Sequence, residues 1–238
     1  MSGHAGNQNF IGSIKDGLVF YLDATSSLVS SSYGYVGNNV GWNSVVGCSY
    51  KRSSGNFNYT SSYSGSVSLN ENGNGNYIMY NSTTQTNTLR NFTLCVWANY
   101  TGGGSFFDPF LSNGGDSGAR NCQFGLYTND NRFAMSSDFL GDFYTPSGLA
   151  VNGIHFWTVT FQGGSPSSIN LYKDGVSIYS TTTTNVLSDI TGTQLRIGED
   201  FCGHGFHGTI SFVQVYNRAL SSSEIESLYS GSKGRFGL

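Results

Sequence analysis

The sequence predicts an all-β protein, a sandwich or barrel of short strands with one helix near its C-terminal end. Three observations carry the prediction. Short apolar segments alternate with polar residues at a period of two and are separated by turn residues, which is how half-buried strands read. Aromatic residues make up 15% of the 238 residues and 33 are glycine. So many rings argue against disorder, and the scarcity of Lys, Glu and Ala argues against a helical chain. Charged residues are only 11%, against about 25% in an average globular protein. The length suits one large domain or two small ones and supports a sizeable core without covalent staples.

Each element follows from its residues. Leu18-Val19-Phe20-Tyr21-Leu22 is apolar on both faces and predicts a central strand. Residues 66–70 and 77–80 follow, split by the turn-rich Glu71-Asn72-Gly73-Asn74-Gly75. Residues 92–100 place Phe92, Leu94, Val96 and Ala98 on one face and Cys95 and Trp97 on the other. Pro109 interrupts residues 106–111, and its missing amide hydrogen demotes that run to an edge or a bulge. Shorter runs lie at 122–127 and 132–136. Residues 154–161 form a long strand ending at Gly163-Gly164. Residues 169–172 and 176–179 flank Lys173-Asp174-Gly175, where Asp-Gly readily takes the positive φ angles of a tight hairpin turn. Residues 195–198 and 209–216 complete the strands. Ser221-Ser222-Ser223-Glu224 has capping-box spacing. Ile225, Leu228 and Tyr229 then share a helix face, and Gly231 is expected to end the helix.

The organisation expected is a flexible N-terminal arm over residues 1–16, one domain over 17–230 and a tail over 231–238. Residues 23–65 are rich in Ser, Gly, Asn and Tyr. A passage that long is expected to wrap a sheet with short strands of its own, anchored by Trp42, Val45 and Val46. A net charge of -3 leaves no basic footprint for nucleic acid or an anionic membrane. No run approaches the roughly 20 apolar residues of a bilayer span. The first ten residues have neither the basic nor the apolar region of a secretory signal, so the chain is expected to be made in a cytoplasm and to leave it, if at all, by another route. Cys48, Cys95, Cys122 and Cys202 are too few and too widely spaced for a disulfide scaffold and are expected to be reduced and mostly buried.

Candidate chemistry was weighed motif by motif. Glycoside hydrolysis needs two carboxyl groups facing one cleft, about 5.5 Å apart for retention and up to about 9.5 Å for inversion. The only glutamates are Glu71, Glu199, Glu224 and Glu226, and the closely spaced pair falls in the expected helix, where it diverges. No hydrolase is expected. Gly115-Asp116-Ser117-Gly118 resembles a serine-protease nucleophile loop, but the one upstream histidine is His4, so a glycine-rich turn is the better reading. Cys202, His204 and His207 lack the second ligand pair of a zinc site and read as a loop with a buried thiol. Asp108, Asp116, Asp138, Asp142 and Asp200 are expected in loops that meet at one rim, and Asp108, Asp116 and Asp200 are weak calcium candidates. No fixed motif organises them, so solvated aspartates are the default and no cofactor is required. The densest loop of aromatic rings beside acids is Asp138, Phe139, Asp142, Phe143 and Tyr144, the candidate ligand-binding set. Its structural alternative has the rings packed beneath the loop. Asn58, Asn81, Asn91 and Asn99 match glycosylation acceptors by chance in an Asn/Thr-rich chain.

The order of segments resembles a known family. Gly17-Leu-Val-Phe-Tyr-Leu-Asp23, Val40-Gly-Trp-Asn-Ser44 and Ser66-Val-Ser-Leu-Asn70 with Tyr77-Ile78 resemble the first half of a laminin-G-like, concanavalin-A-like domain. Phe92-Thr-Leu-Cys-Val-Trp97 is similar to its central strand. Phe156-Trp157-Thr-Val-Thr160 with Ile169-Asn-Leu-Tyr-Lys-Asp-Gly-Val176 is similar to its most typical hairpin region. Leu195-Arg-Ile-Gly198, Phe206-His-Gly-Thr-Ile210 and Val215-Tyr-Asn-Arg-Ala-Leu-Ser221 match its ending. The resemblance covers about residues 17–230 and implies a two-sheet antiparallel jelly roll with one short C-terminal helix. The Glu-x-Asp-x-Glu pattern of the family's glucanases is absent.

One fold hosts many functions, and family members bind glycans, proteins or calcium. Versions that open with this first strand are similar to virion proteins of tailed bacteriophages. That likeness implies a non-enzymatic virion surface protein, either a capsid decoration (cement) protein or a fibre-associated module. Its lectin-like domain would bind host-surface glycans. Its arm would dock on other virion proteins such as the major capsid protein, and the chain would assemble as a homo-oligomer. A free or secreted carbohydrate-binding module is the alternative, with a glycoside hydrolase behind it.

Overall fold

Alternation at a period of two builds the strands of a computed structural model that describes residues 14–23, 50–54, 57–60, 66–69, 77–81, 90–103, 106–114, 120–138, 140–185, 194–200 and 202–238. In chain order the strands are β1 (Leu18–Asp23), β2 (Tyr50–Ser54), β3 (Phe57–Thr60), β4 (Ser66–Leu69), β5 (Tyr77–Asn81), β6 (Asn91–Tyr100), β7 (Phe107–Gly114) and β8 (Arg120–Tyr127). Then follow β9 (Arg132–Ser137), β10 (Gly141–Tyr144), β11 (Gly153–Gln162), β12 (Ser167–Lys173), β13 (Val176–Thr183), β14 (Gln194–Ile197) and β15 (Gly208–Tyr216). A helix, α1 (Ser222–Ser232), and a 3₁₀ turn (Lys233–Phe236) close the chain.

Among the described residues these strands form two antiparallel sheets. The first runs β13-β12-β11-β6-β15-β4-β3, and the second runs β10-β9-β8-β7-β14-β5-β2. β1 and β4 share one edge of β15: β1 pairs its C-terminal half and β4 its N-terminal half. The expected sandwich of two sheets with one C-terminal helix is the observed architecture. Residues 23–65 do contribute short strands, β2 and β3, whereas Trp42, Val45, Val46 and Cys48 lie outside the described residues. Of the arm, residues 1–13 also lie outside them, while Ile14 is buried in an apolar cluster with the helix.

The main core fills the space between the sheets. Phe92, Leu94, Val96 and Ala98 of β6 point into it, with Trp157, Val159 and Phe161 of β11 and Phe124, Leu126, Phe133 and Met135 of the second sheet. Cys95 and Trp97, on the other face of β6, belong to a second cluster with Phe156, Phe212, Ile225, Leu228 and Phe236. The fold therefore has two apolar layers: one between the sheets, one between the first sheet and the helix.

Local signals act as their chemistry dictates. Asp174 (φ 52°) and Gly175 (φ 81°) make the hairpin turn in the left-handed region. The Asp174 carboxylate accepts from the Phe156 amide at 2.9 Å and contacts His155 Nδ1 at 2.7 Å. The capping box forms: Ser221 Oγ accepts from the Glu224 amide at 3.3 Å and Glu224 Oε2 from the Ser221 amide at 2.8 Å. Arg218 grips the same carboxylate with two nitrogens, at 3.0 and 2.6 Å, and holds it down to about pKa 2.

One expectation needs correction. The helix does not end at Gly231. It runs to Ser232, whose hydroxyl accepts from Trp97 Nε1 at 2.8 Å, and Phe236 stacks on Trp97 with centroids 4.1 Å apart. Packing on Trp97 overrides the weak helix propensity of one glycine, and the left-handed stop comes at Gly237. Residues 231–238 are thus the end of the helical cap. Pro109 takes the second of its two expected forms: a register shift between Pro109 and Leu111 accommodates it as a bulge in β7.

Candidate functional site

The outer face of the second sheet is polar where that of the first is apolar. Register determines what stands there. Asp142 of β10 pairs with Ser136 of β9, Ser136 with Gln123 of β8, Gln123 with Ser112 of β7, and Ser112 with Arg196 of β14. Alternation sends their neighbours Phe124, Met135 and Phe143 inward to the core. The result is a row of five polar side chains running across five strands. Ser136 Oγ donates a hydrogen bond to Asp142 Oδ1. Gln123 is only 3% exposed, and its Oε1 has no hydrogen-bond partner among the described residues.

Beside this row the sheet is hollowed. Tyr144 pairs with Ala134, and Ala134 with Gly125, so two small residues separate larger ones. Gly125 is required there, because a Cβ on it would lie 2.3 Å from the Asp108 carbonyl oxygen on β7. Rings wall the hollow. Tyr127 meets Tyr144 edge-on at 5.4 Å and Phe106 edge-on at 4.8 Å, and Phe106 lies 5.4 Å from the His204 ring. Phe106 is 44% exposed, an apolar ring held at the surface. The pocket is a shallow, open hollow of about 100 Å³, smaller than the roughly 300–1,000 Å³ usual for enclosed small-molecule sites.

The loop after β14 supplies the last wall. Asp200 is 1% exposed. Its Oδ1 accepts from the amides of Cys202 (2.8 Å) and His204 (2.9 Å), and its Oδ2 contacts His204 Nδ1 at 2.6 Å. One buried carboxylate thereby shapes the turn and fixes the imidazole at the pocket. Arg196 Nη1 braces the loop from below, donating to Glu199 Oε1 and the Asp200 carbonyl, both at 3.1 Å.

The candidate ligand-binding set is split by this geometry. Asp142, Phe143 and Tyr144 belong to an edge strand, not to a loop. Asp142 and Tyr144 face the pocket, whereas Phe143 packs on the core. Asp138 is exposed in the turn between β9 and β10, and Phe139 lies outside the described residues. Among the described calcium candidates, Asp108 and Asp200 are buried and not solvated loop aspartates. Asp108 is buried within β7, where both carboxylate oxygens lie 3.2 Å from His207 Nδ1. Tyr100 hydrogen-bonds to it, and burial together with that carboxylate pushes the phenol up. Asp200 is committed to its own turn, and Asp116, with the rest of the Gly115–Gly118 motif, lies outside the described residues. Buried carboxylates need partners, and here histidines supply them. Cys202 is exposed instead of buried, since Asp200 holds its amide and not its thiol. Cys95 and Cys122 are buried, and burial raises both thiols to about pKa 12.

Phe106, Gln123, Tyr127, Ser136 and His204 were not anticipated from sequence. Gln123, Tyr127 and Ser136 do alternate with Phe124, Leu126 and Met135 in runs recognised as strands. That alternation identifies an outward face but not which strands lie side by side.

Comparisons with known proteins agree with this architecture. The binding domain of Paraclostridial Mosquitocidal Protein 1 superposes with a TM-score of 0.64 at 15% identity, over 90% of this chain and 52% of that one. Botulinum neurotoxin type C, whose cell entry is dependent on interaction with two ganglioside molecules, gives 0.66 at 12% identity, over 92% and 52%. Trypanosoma rangeli sialidase in complex with sialic acid gives 0.63 at 17% identity, over 92% and 33%. The chain thus spans about half the length of the toxin structures and a third of the sialidase. No curated protein matches it significantly in sequence. The family model of the concanavalin A-like lectin/glucanases superfamily, of laminin-G type, matches residues 72–226, well over half of the sequence, and the chain belongs to that family.

Proposed function

We propose that this chain is a non-enzymatic glycan-binding module acting through the pocket beside β10. The observation that carries the reading is a hollow in which the exposed Phe106 ring and the half-buried Tyr144 ring stand beside the exposed Asp142 carboxylate. A sugar has apolar C–H faces that pack on rings and hydroxyls that donate to such acceptors. The same rings would serve little purpose for a small anion.

Hydrolysis is the competing reading, since Asp142 and Asp200 both line the pocket. It needs two carboxyl groups free to act, one as acid and one as base or nucleophile. Asp200 spends both oxygens on contacts within its own loop, which favours binding over bond cleavage. The wider setting belongs to the same proposal. The module is carried on a virion surface as a decoration or fibre-associated protein, with residues 1–13 docking on a neighbouring capsid protein. The charge-poor composition suits dense packing, and many copies turn weak sites into firm adhesion. A free or secreted carbohydrate-binding module would use the pocket in the same way.

A glycan array with the purified chain tests the binding. Retention is expected for wild type and loss for Tyr144→Ala. Binding that ignores Tyr144 rejects the pocket, and release of reducing sugar overturns the non-enzymatic assignment. Deleting residues 1–13 should abolish incorporation into particles while leaving the domain folded; normal incorporation removes the docking role.

A further inference from the structure

We infer that the pocket selects neutral glycans and discriminates against sialylated or otherwise carboxylated ones, an inference that rests on the glycan-binding reading above. It comes from the charges that face the cavity. The wall carries the Asp142 carboxylate, exposed on the edge strand, and the buried Asp200 carboxylate, in contact with the His204 ring. Among the described residues no lysine or arginine lines the pocket. Two of the described cations, Arg132 and Arg196, are engaged elsewhere. Arg132 lies with its Cζ 6.0 Å from the centre of the Tyr144 ring, and its Nε is 2.5 Å from Asp130. Arg196, at the far end of the polar row, is held by Glu199 and the Asp200 carbonyl.

An acidic sugar is recognised by a guanidinium fork or a cluster of amide donors, and the lining supplies neither. Its carboxylate would instead approach Asp142, a like charge in a partly desolvated hollow, where repulsion is stronger than in bulk water. What the wall does present is an acceptor, the exposed carboxylate of Asp142. Acceptors call for donors, and the hydroxyls of a neutral pyranose are donors. The sialic acid and ganglioside named for two structural neighbours therefore do not carry over to this chain. Specificity follows the charge lining the pocket, not the sandwich that holds it.

The test uses one oligosaccharide in two forms, with and without terminal sialic acid, titrated against the full chain and its Asp142→Asn variant. Asparagine keeps the shape and can still accept from Ser136, so the fold is preserved. The neutral form should bind at least about tenfold more tightly than the sialylated one, the scale of one partly screened like-charge contact. Asp142→Asn should narrow that ratio, as should raising the salt from about 0.05 M to about 1 M. Equal or tighter binding of the sialylated form overturns the selectivity while leaving the pocket a glycan site. A ratio indifferent to both salt and Asp142→Asn overturns its electrostatic cause. Binding of neither form, or binding of either that Tyr144→Ala leaves intact, overturns the glycan reading itself and the selectivity with it.

Discussion

The two sheets of this sandwich turn opposite kinds of surface outward. On the first, Cys95, Trp97, Phe156, Phe212 and Tyr216 point away from the central core yet are buried, because α1 and the 3₁₀ turn lie over them. On the second, the corresponding positions hold Arg196, Ser112, Gln123, Ser136 and Asp142. The backbone pattern is the same on both. The first face is apolar where α1 and the 3₁₀ turn cover it, whereas the second is polar even where it is buried, at Ser112, Gln123 and Ser136, and opens at the hollow beside Tyr144. On the proposed reading, stability and recognition fall on opposite sides of the molecule.

That division can be broken by substitution, and the largest effect should come from the covered side. Trp97→Ala removes a fully buried indole, its stacking on Phe236 and its hydrogen bond to Ser232. Denaturant unfolding should register a loss of about 3–5 kcal/mol, with glycan affinity of the folded fraction unchanged. A fall in that affinity would mean that the two faces are coupled. Tyr144→Ala on the open side should do the reverse, weakening the sugar about tenfold, or about 1.4 kcal/mol, while costing less stability than Trp97→Ala.

Smaller effects sharpen the same contrast at the helix start. Ser221→Ala removes half of the capping box and should cost about 1 kcal/mol in thermal or chemical unfolding. Glu224 is held down from 4.5 to about 2, chiefly by Arg218. Its contribution is therefore complete above the ordinary value and disappears as pH falls through about 2. Wild type should exceed Glu224→Gln in unfolding midpoint near pH 6, and the gap should close toward pH 2, modestly because the pair is solvent-exposed. The gentlest probe is alkylation read by peptide mass spectrometry. Cys202, exposed at the pocket, should label in the native protein and be protected by bound sugar. Cys95 and Cys122, with thiols raised to about 12, should label only after unfolding.

What could be read from sequence was local. The hairpin at Asp174-Gly175, the capping box at Ser221 and Glu224 and the alternation of β6 each lie within a few residues, where periodicity and side-chain reach decide the outcome. The pocket was legible only in part, at Asp142 and Tyr144. Its other members, Phe106, Gln123 and His204, come from separate strands and a loop, and register between strands leaves no local trace. Phe143 was included with the ligand set because four residues after a turn do not announce an edge strand whose alternate side chain goes inward. The stop expected at Gly231 failed for the same reason in reverse: Trp97, more than a hundred residues earlier, supplies the contact that carries the helix past it.

Gly125 sets a boundary on what redesign of this surface can achieve. With the neighbouring carbonyl 2.3 Å from the place a Cβ would take, the position accepts no other amino acid without prising β8 from β7. A library aimed at this surface can vary Tyr144, but it must inherit that one bare backbone unit unchanged.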